Sequence, residues 1–236
     1  MVNNDNISFG KTQKYSLTSL FYLASKYVKS SPFHHTVDLG KSQNPFDMNG
    51  CDFQNLIKSK QFVIVHGWLF RDAINFSTYA PLIRQIFTPT QSYRENVKNL
   101  IERMRCEVDI IVGIHLRRGD YRKWANGQYY YSDDIYLKKM SEISNSLLNT
   151  TKKVGFLLVS NEEININNFK DYNVALGTGN FIEDLYSLAK CDYILGPPSS
   201  YSIWASFYGE NPYFHLRDVS EIISLEKFKK YIYPTP

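Results

Sequence analysis

Residues 109–116, Asp109-Ile-Ile-Val-Gly-Ile-His-Leu116, are a near-continuous apolar run of strand length. Such a run is typical of a strand that is buried on both faces of a parallel sheet. The next residues, Arg117-Arg-Gly-Asp-Tyr121, are mostly polar and begin where the strand should end. Because open α/β sheets bind ligands outside the carboxyl ends of their strands, this cluster is the first candidate for a functional site.

The charge of this cluster favours an anionic ligand. Arg117 and Arg118 carry planar, permanently charged groups that suit a pyrophosphate, although a solvated surface pair is the alternative interpretation. Side chains alternate along a strand, so only one of the two should point into the crevice. Gly119 is expected to supply the turn, and Asp120 to orient an arginine or accept a substrate hydroxyl.

The composition is that of a globular protein with its own core: 236 residues, 15% aromatic and 21% charged. The net charge is only +4, and the basic residues are scattered along the chain. This distribution favours a local anionic site and argues against a nucleic-acid partner.

The three cysteines bear on the location of the protein and on metal binding. Cys51, Cys106 and Cys191 have no paired spacing, which favours a reducing, cytoplasmic location. No spacing typical of zinc is present, so no metal is expected. No signal peptide or integral membrane segment is expected either, whereas peripheral association with a membrane stays open.

Apolar periodicity and turn residues predict a regular alternation of strands and helices in the second half of the chain. Strands are predicted at 109–116, 154–159, 173–176, 192–196 and 212–215, and helices from Ser132 and near 162–170, 181–190, 199–208 and 220–231. The alternation predicts an α/β fold with a doubly wound parallel sheet.

The first hundred residues are less regular. Helices are predicted at 16–29, 81–87 and 92–106, the last with a capping box at Ser92 and Glu95, and a strand at 61–66. We therefore expect two lobes, residues 1–107 and residues 108–236.

A second polar cluster follows the strand Cys191–Gly196. In the turn Pro197-Pro-Ser-Ser200, the hydroxyls of Ser199 and Ser200 and the free amides of a helix start would suit a phosphate, while a plain serine cap is the alternative. Glu183 and Asp184 open the preceding helix, where they either complement its dipole or accept from a base or ribose. Residues 160–163 fit ligand contact and helix capping equally well.

These clusters resemble a known family. His115-Leu-Arg-Arg-Gly-Asp-Tyr121 is similar to the signature shared by α1,2-fucosyltransferases and by the α1,6- and protein O-fucosyltransferases. Residues 183–192 and 199–205 are similar to the downstream block of the α1,2 family, in which an acidic helix leads to a serine-rich turn and a tryptophan.

The resemblance implies a GT-B-like fold whose carboxyl-terminal, Rossmann-like lobe binds GDP-fucose. The implied substrate-binding residues are His115, Arg117, Arg118, Asp184, Ser199 and Ser200, with Arg117 on the diphosphate and His115 and Asp184 near the guanosine. Arg117 and Asp120 are the implied catalytic residues. The family inverts the anomeric carbon and needs neither metal nor cofactor, and His66, Asp72 and Asp120 are candidate general bases for the acceptor hydroxyl.

Two departures from the family stand out. The chain begins Met1-Val-Asn-Asn without the usual glycine-rich segment, so we expect a short acceptor lobe in either a truncated or a divergent member. Ser160-Asn161-Glu162 also replaces the usual serine followed by two aspartates.

The favoured interpretation is a fucosyltransferase of bacterial type that forms an α1,2 linkage on a glycan acceptor of a surface polysaccharide. The alternatives are a transferase of the same fold that uses another nucleotide sugar, and a GDP- or glycan-binding module without turnover.

Overall fold

A computed structural model describes residues 28–230 of the chain, apart from Gln43, Trp68 and Asn149. The helix predicted at 16–29 lies outside the described residues except for its last two. The chain divides into two compact units, the first ending at Thr78 and the second beginning at Tyr79.

The first unit contains short strands and helices over its described residues. They are β1 (His34–Asp38), β2 (Phe46–Asp47), α1 (Cys51–Ser59), β3 (Phe62–His66), β4 (Phe70–Arg71) and α2 (Ala73–Thr78). β1 pairs with β3 and β2 pairs with β4, both in parallel. The strand predicted at 61–66 is confirmed as β3. The rings of Phe53 and Phe70 each lie 5.5 Å from that of Phe46 and anchor α1 to the second strand pair.

The second unit alternates strands and helices. They are α3 (Ala80–Ile86), α4 (Gln91–Arg105), β5 (Ile110–Leu116), α5 (Asp133–Ser146), β6 (Val154–Ser160), β7 (Val174–Leu176), α6 (Phe181–Leu188), β8 (Tyr193–Gly196), α7 (Ser200–Gly209), β9 (Pro212–His215) and β10 (Lys229–Lys230). Each of the five strands predicted for this half is therefore confirmed, to within two residues at either end.

These strands form one sheet in the order β10-β9-β8-β5-β6-β7. β10 runs antiparallel to β9, and the other pairs are parallel. β5 pairs with both β6 and β8, and every one of its residues is buried. The prediction of a central, doubly buried strand at 109–116 is confirmed.

Helices cover both faces of this sheet. On one face, Val112 and Ile114 of β5 share a core with Tyr136 and Met140 of α5. On the other face, Ile111 of β5 shares a core with residues of α4, α6 and α7, among them Leu100, Met104, Leu188 and Ala205. The predicted doubly wound α/β sheet is confirmed. Because α4 packs into this core, the division between units precedes it, earlier than the boundary expected after residue 107.

The prediction of a helix at 220–231 is wrong. The segment contains a 3-10 turn, Leu225–Lys227, followed by β10. Polar side chains of α5 hold its backbone instead: Lys139 Nζ donates to the carbonyl of Glu221 at 2.6 Å, and the amide of Ile223 donates to Glu142 at 2.9 Å. These long-range bonds replace the ones that a helix would make.

Two further helix predictions need correction. The helix expected near 162–170 is only a 3-10 turn at Ile166–Phe169, which begins after Asn165 caps the amide of Asn167. The capping box at Ser92 is also wrong, because α4 begins at Gln91 and Thr90 is its N-cap residue. The Glu95 carboxylate accepts from the Gln91 side chain at 2.7 Å.

Candidate functional site

The end of β5 distributes its polar side chains to the two faces of the sheet. His115 and Arg117 follow the alternation that puts Ile111 on the α7 side, whereas Arg118 turns toward α5. Arg117 lines a small cleft at the strand end, as one of the two arginines was predicted to do.

Arg117 is held by its neighbours in the chain. Its Nη2 lies 2.9 Å from Oδ1 of Asp120, with the arginine side chain 30% and the aspartate 59% exposed. Its guanidinium carbon also lies 5.4 Å from the centre of the Tyr121 ring. Asp120 therefore orients the arginine, as one of its predicted roles required, and leaves part of the guanidinium open to a ligand.

Arg118 has a different environment. Its Nη2 donates to Asp133 in the first turn of α5, and Asp133 also accepts from Asn168 at 2.6 Å. Its buried Nε has no hydrogen-bond partner among the described residues. Arg118 does not line the cleft, so its predicted contact with a donor stays a prediction.

His115 is a buried, neutral imidazole. Its Nδ1 lies 2.6 Å from Oγ of Ser202 in α7, and its ring lies 5.1 Å from that of Tyr201. Burial, with a smaller contribution from the charge of Arg117, lowers the pKa of His115 to about 3. At neutral pH the ring can therefore donate or accept a hydrogen bond without carrying charge.

The serine turn lies at the end of the strand next to β5. Ser199 caps α7 by accepting from the amide of Tyr201 at 3.2 Å, and Ser200 is exposed. The Tyr121 hydroxyl donates to the carbonyl of Pro198, so one tyrosine contacts both Arg117 and this turn. The same ring lies 4.7 Å from the ring of Trp124. The two strand ends are neighbours, as the predicted shared site requires.

The acidic pair of α6 divides between two environments. Asp184 is 4% exposed and accepts from the amide of Thr178 at 2.7 Å, and burial raises the pKa of its carboxyl. Gly177 allows this approach, because a side chain there would overlap the carboxylate. Glu183 instead accepts from Asn96 of α4 at 2.6 Å. Only Asp184 of the pair lines the cleft.

The strand-edge cleft has a volume of about 120 Å³. Its lining residues are His115, Arg117, Val159, Ser160, Asn161, Gly179, Phe181, Asp184 and Tyr201. Ser199 and Ser200 lie outside this lining, and their contact with phosphate stays a prediction. Tyr201 was not singled out from the sequence, although it belongs to the serine-rich block. Its place in the block 199–205, which carries the family resemblance, was the available signal.

The candidate bases have partners within their own units. In the first unit, Nδ1 of His66 lies 2.9 Å from Oδ1 of Asp38, and this hydrogen bond lowers the pKa of the aspartate. Asp72 accepts a hydrogen bond from the Asn75 side chain at 3.1 Å. Asp120 pairs with Arg117. None of the three is selected by this geometry.

Neither a metal cluster nor a membrane-spanning helix occurs in the described part of the chain. It contains no group of three or more histidine, cysteine or acidic side chains arranged to hold a metal ion. None of its helices is long and apolar enough to cross a bilayer.

Fold and site together define an α/β protein with an arginine-lined cleft at the carboxyl edge of a parallel sheet. A family model described as glycosyl transferase family 11 matches residues 54–217. The chain belongs to this family. The resemblance drawn from the residues around Arg117 is confirmed. No curated protein sequence matches the chain.

Two solved structures are similar to the chain. A structure of an arginine-to-lysine mutant of Arabidopsis thaliana FUT1 in complex with GDP has a TM-score of 0.52 and 17% identity, covering 83% of this chain and 53% of that one. A structure of POFUT1 in complex with GDP has a TM-score of 0.43 and 12% identity, covering 67% of this chain and 55% of that one. The predicted GT-B-like fold class is confirmed by FUT1. The chain spans about half the length of that protein.

Proposed function

We propose that this chain transfers L-fucose from GDP-fucose to a hydroxyl group of a glycan acceptor. The observation that carries the proposal is the meeting of Arg117 and the amino end of α7 at adjacent strand ends, joined through Tyr121. Membership of glycosyl transferase family 11 and the similarity to a FUT1 structure that contains GDP support this choice of nucleotide.

In the proposed reaction, the bond between the fucose anomeric carbon and the diphosphate breaks, and negative charge develops on the departing GDP. The guanidinium of Arg117 and the free amides at the start of α7 would stabilise that charge without a metal. Asp120 keeps the guanidinium oriented through its 2.9 Å ion pair. His115 and Asp184, on the same cleft, would contact the guanosine.

The acceptor hydroxyl attacks the opposite face of the anomeric carbon, so the transfer inverts its configuration. A general base that removes the hydroxyl proton would assist this attack. His66, Asp72 and Asp120 remain the candidates, and Asp120 is already paired with Arg117. An α1,2 linkage, a surface polysaccharide acceptor and a cytoplasmic location complete the proposal.

Calorimetric titration with GDP, GDP-fucose and UDP in the presence of EDTA tests the donor. We expect both guanine nucleotides to bind and UDP to bind at least tenfold more weakly, because the nucleobase contacts are specific. Equal binding of UDP would point to a transferase that uses another nucleotide sugar. Binding that disappears with EDTA would contradict metal independence.

Turnover needs a separate measurement. GDP release from GDP-fucose is followed with a panel of glycan acceptors, and product linkage is read by NMR. Acceptor-dependent release supports the proposal, whereas GDP affinity without any product across the panel would identify a binding module.

A further inference from the structure

The loop that carries Arg117 is fastened to the end of β6 by two consecutive side chains. The amide of Arg118 donates to Oδ1 of Asn161 at 2.8 Å, and the amide of Gly119 donates to Oε1 of Glu162 at 3.0 Å. These are the first two amides after Arg117, so they determine the direction in which the chain leaves that residue.

Glu162 is itself held in place. Its second carboxylate oxygen accepts from Nη2 of Arg122 at 2.8 Å, and its own amide donates to Oγ of Ser160 at 3.1 Å. One carboxylate thus joins the beginning of the loop at Gly119 to its end at Arg122, across the carboxyl ends of β5 and β6.

The backbone of Gly119 has the conformation that this arrangement requires. Its φ is +55°, and a Cβ there would lie 2.7 Å from Nδ2 of Asn161. A residue with a side chain would be strained and would push Asn161 away. The loop and the end of β6 therefore fit together closely at the position that follows the arginines.

We infer that Glu162 is a positioning residue that holds Arg117 in the orientation needed to bind the diphosphate of the donor. The inference rests on the proposed function. Glu162 does not line the cleft, so it acts through the amide of Gly119 and not through a contact with the nucleotide. It also gives a role to one of the two positions at which this chain departs from the usual serine followed by two aspartates.

The test compares the affinities of GDP and guanosine by calorimetry in Glu162→Ala, Glu162→Gln and Arg122→Ala. Loss of a hydrogen bond to a charged acceptor should weaken GDP binding about tenfold in Glu162→Ala, with guanosine affinity unchanged. Glu162→Gln keeps an oxygen for the Gly119 amide and should stay within about threefold of wild type. Arg122→Ala removes the exposed ion pair and a contact with the Tyr130 ring but leaves the Gly119 amide bonded to Glu162, so GDP affinity should change little.

The same Glu162→Ala substitution in an Arg117→Ala background separates positioning from a general structural role. If Glu162 acts through Arg117, its removal should have no further effect on GDP affinity there. A tenfold loss that persists in that background, an equal loss for guanosine, or unchanged GDP affinity in Glu162→Ala would each overturn the inference. If alanine prevents folding, Glu162→Leu keeps the apolar stem without the acceptor and takes its place.

GDP binding by the wild-type protein distinguishes failure of the proposed function from failure of the positioning role. Wild-type protein that fails to bind GDP contradicts the proposed function. Wild-type protein that binds GDP through Arg117, without coupling to Glu162, contradicts only the positioning role.

Discussion

At the scale of single residues, alternation along β5 separates two adjacent arginines that look equivalent in the sequence. Arg117 reaches the cleft, and Arg118 joins Asp133 on the α5 side. Strand geometry alone predicted that one of the two arginines would point into the crevice. The sequence did not predict the carboxylate partner of Arg118, because that pairing depends on where α5 packs.

Arg117→Ala should lower donor turnover by on the order of 100-fold, the usual effect of removing a donor that stabilises developing charge. Arg117→Lys should recover little, because an ammonium is a point charge that does not bridge two oxygens. Steady-state kinetics with GDP-fucose measure both variants, with Arg103→Ala on α4 as a control for loss of an arginine outside the cleft. Near-normal turnover in both Arg117 variants would refute the assigned role.

His115 should make folding stability depend on pH. Its pKa is about 3 when folded and 6.5 when unfolded, so between these values the unfolded chain binds a proton that the folded chain does not. The stabilisation is complete above pH 6.5 and is lost as pH falls, by about 2 kcal/mol at pH 5. Urea unfolding at pH 7 and pH 5 should show this loss in wild type and a smaller one in His115→Asn. Equal losses would contradict it.

At the scale of elements, local patterns predicted the strands well and failed where distant partners decide the backbone. The runs at 109–116 and 154–159 are apolar enough to be recognised alone. The segment after residue 220 has helical spacing, yet Lys139 and Glu142, some eighty positions earlier, bond its backbone and exclude a helix. No local pattern contains that information. For the same reason the role of Glu162 at the Gly119 amide could not be foreseen.

Substitutions of the two serines at the start of α7 should have different effects on the free energy of unfolding. Ser199→Ala removes the cap on the Tyr201 amide and should lower the free energy of unfolding by about 1 kcal/mol. Ser200→Ala changes an exposed side chain and should stay within about 0.5 kcal/mol of wild type. Chemical denaturation gives both values, and GDP titration shows whether either serine contributes to phosphate binding. Equal destabilisation by the two variants would count against the capping role of Ser199.

At the scale of the whole molecule, the second unit contains both the six-stranded sheet and the cleft. Nucleotide binding should therefore stabilise this unit directly. At a GDP concentration one hundred times Kd, the free energy of unfolding should rise by about 2.7 kcal/mol. Thermal scans in EDTA should therefore show a higher Tm with GDP than with the same concentration of UDP. An identical Tm with the two nucleotides would contradict guanine recognition.

The contact between Tyr121 and Trp124 gives the protein a built-in optical signal. Tyr121 touches the arginine and the serine turn, and its ring lies 4.7 Å from an indole that is 47% exposed. A ligand that moves the Arg117 guanidinium would disturb the adjoining phenol, and the emission of the indole should then change. A label-free fluorescence titration would then follow loading and departure of the nucleotide in real time, with Trp124→Phe as the reference that keeps only the emission of Trp68 and Trp204.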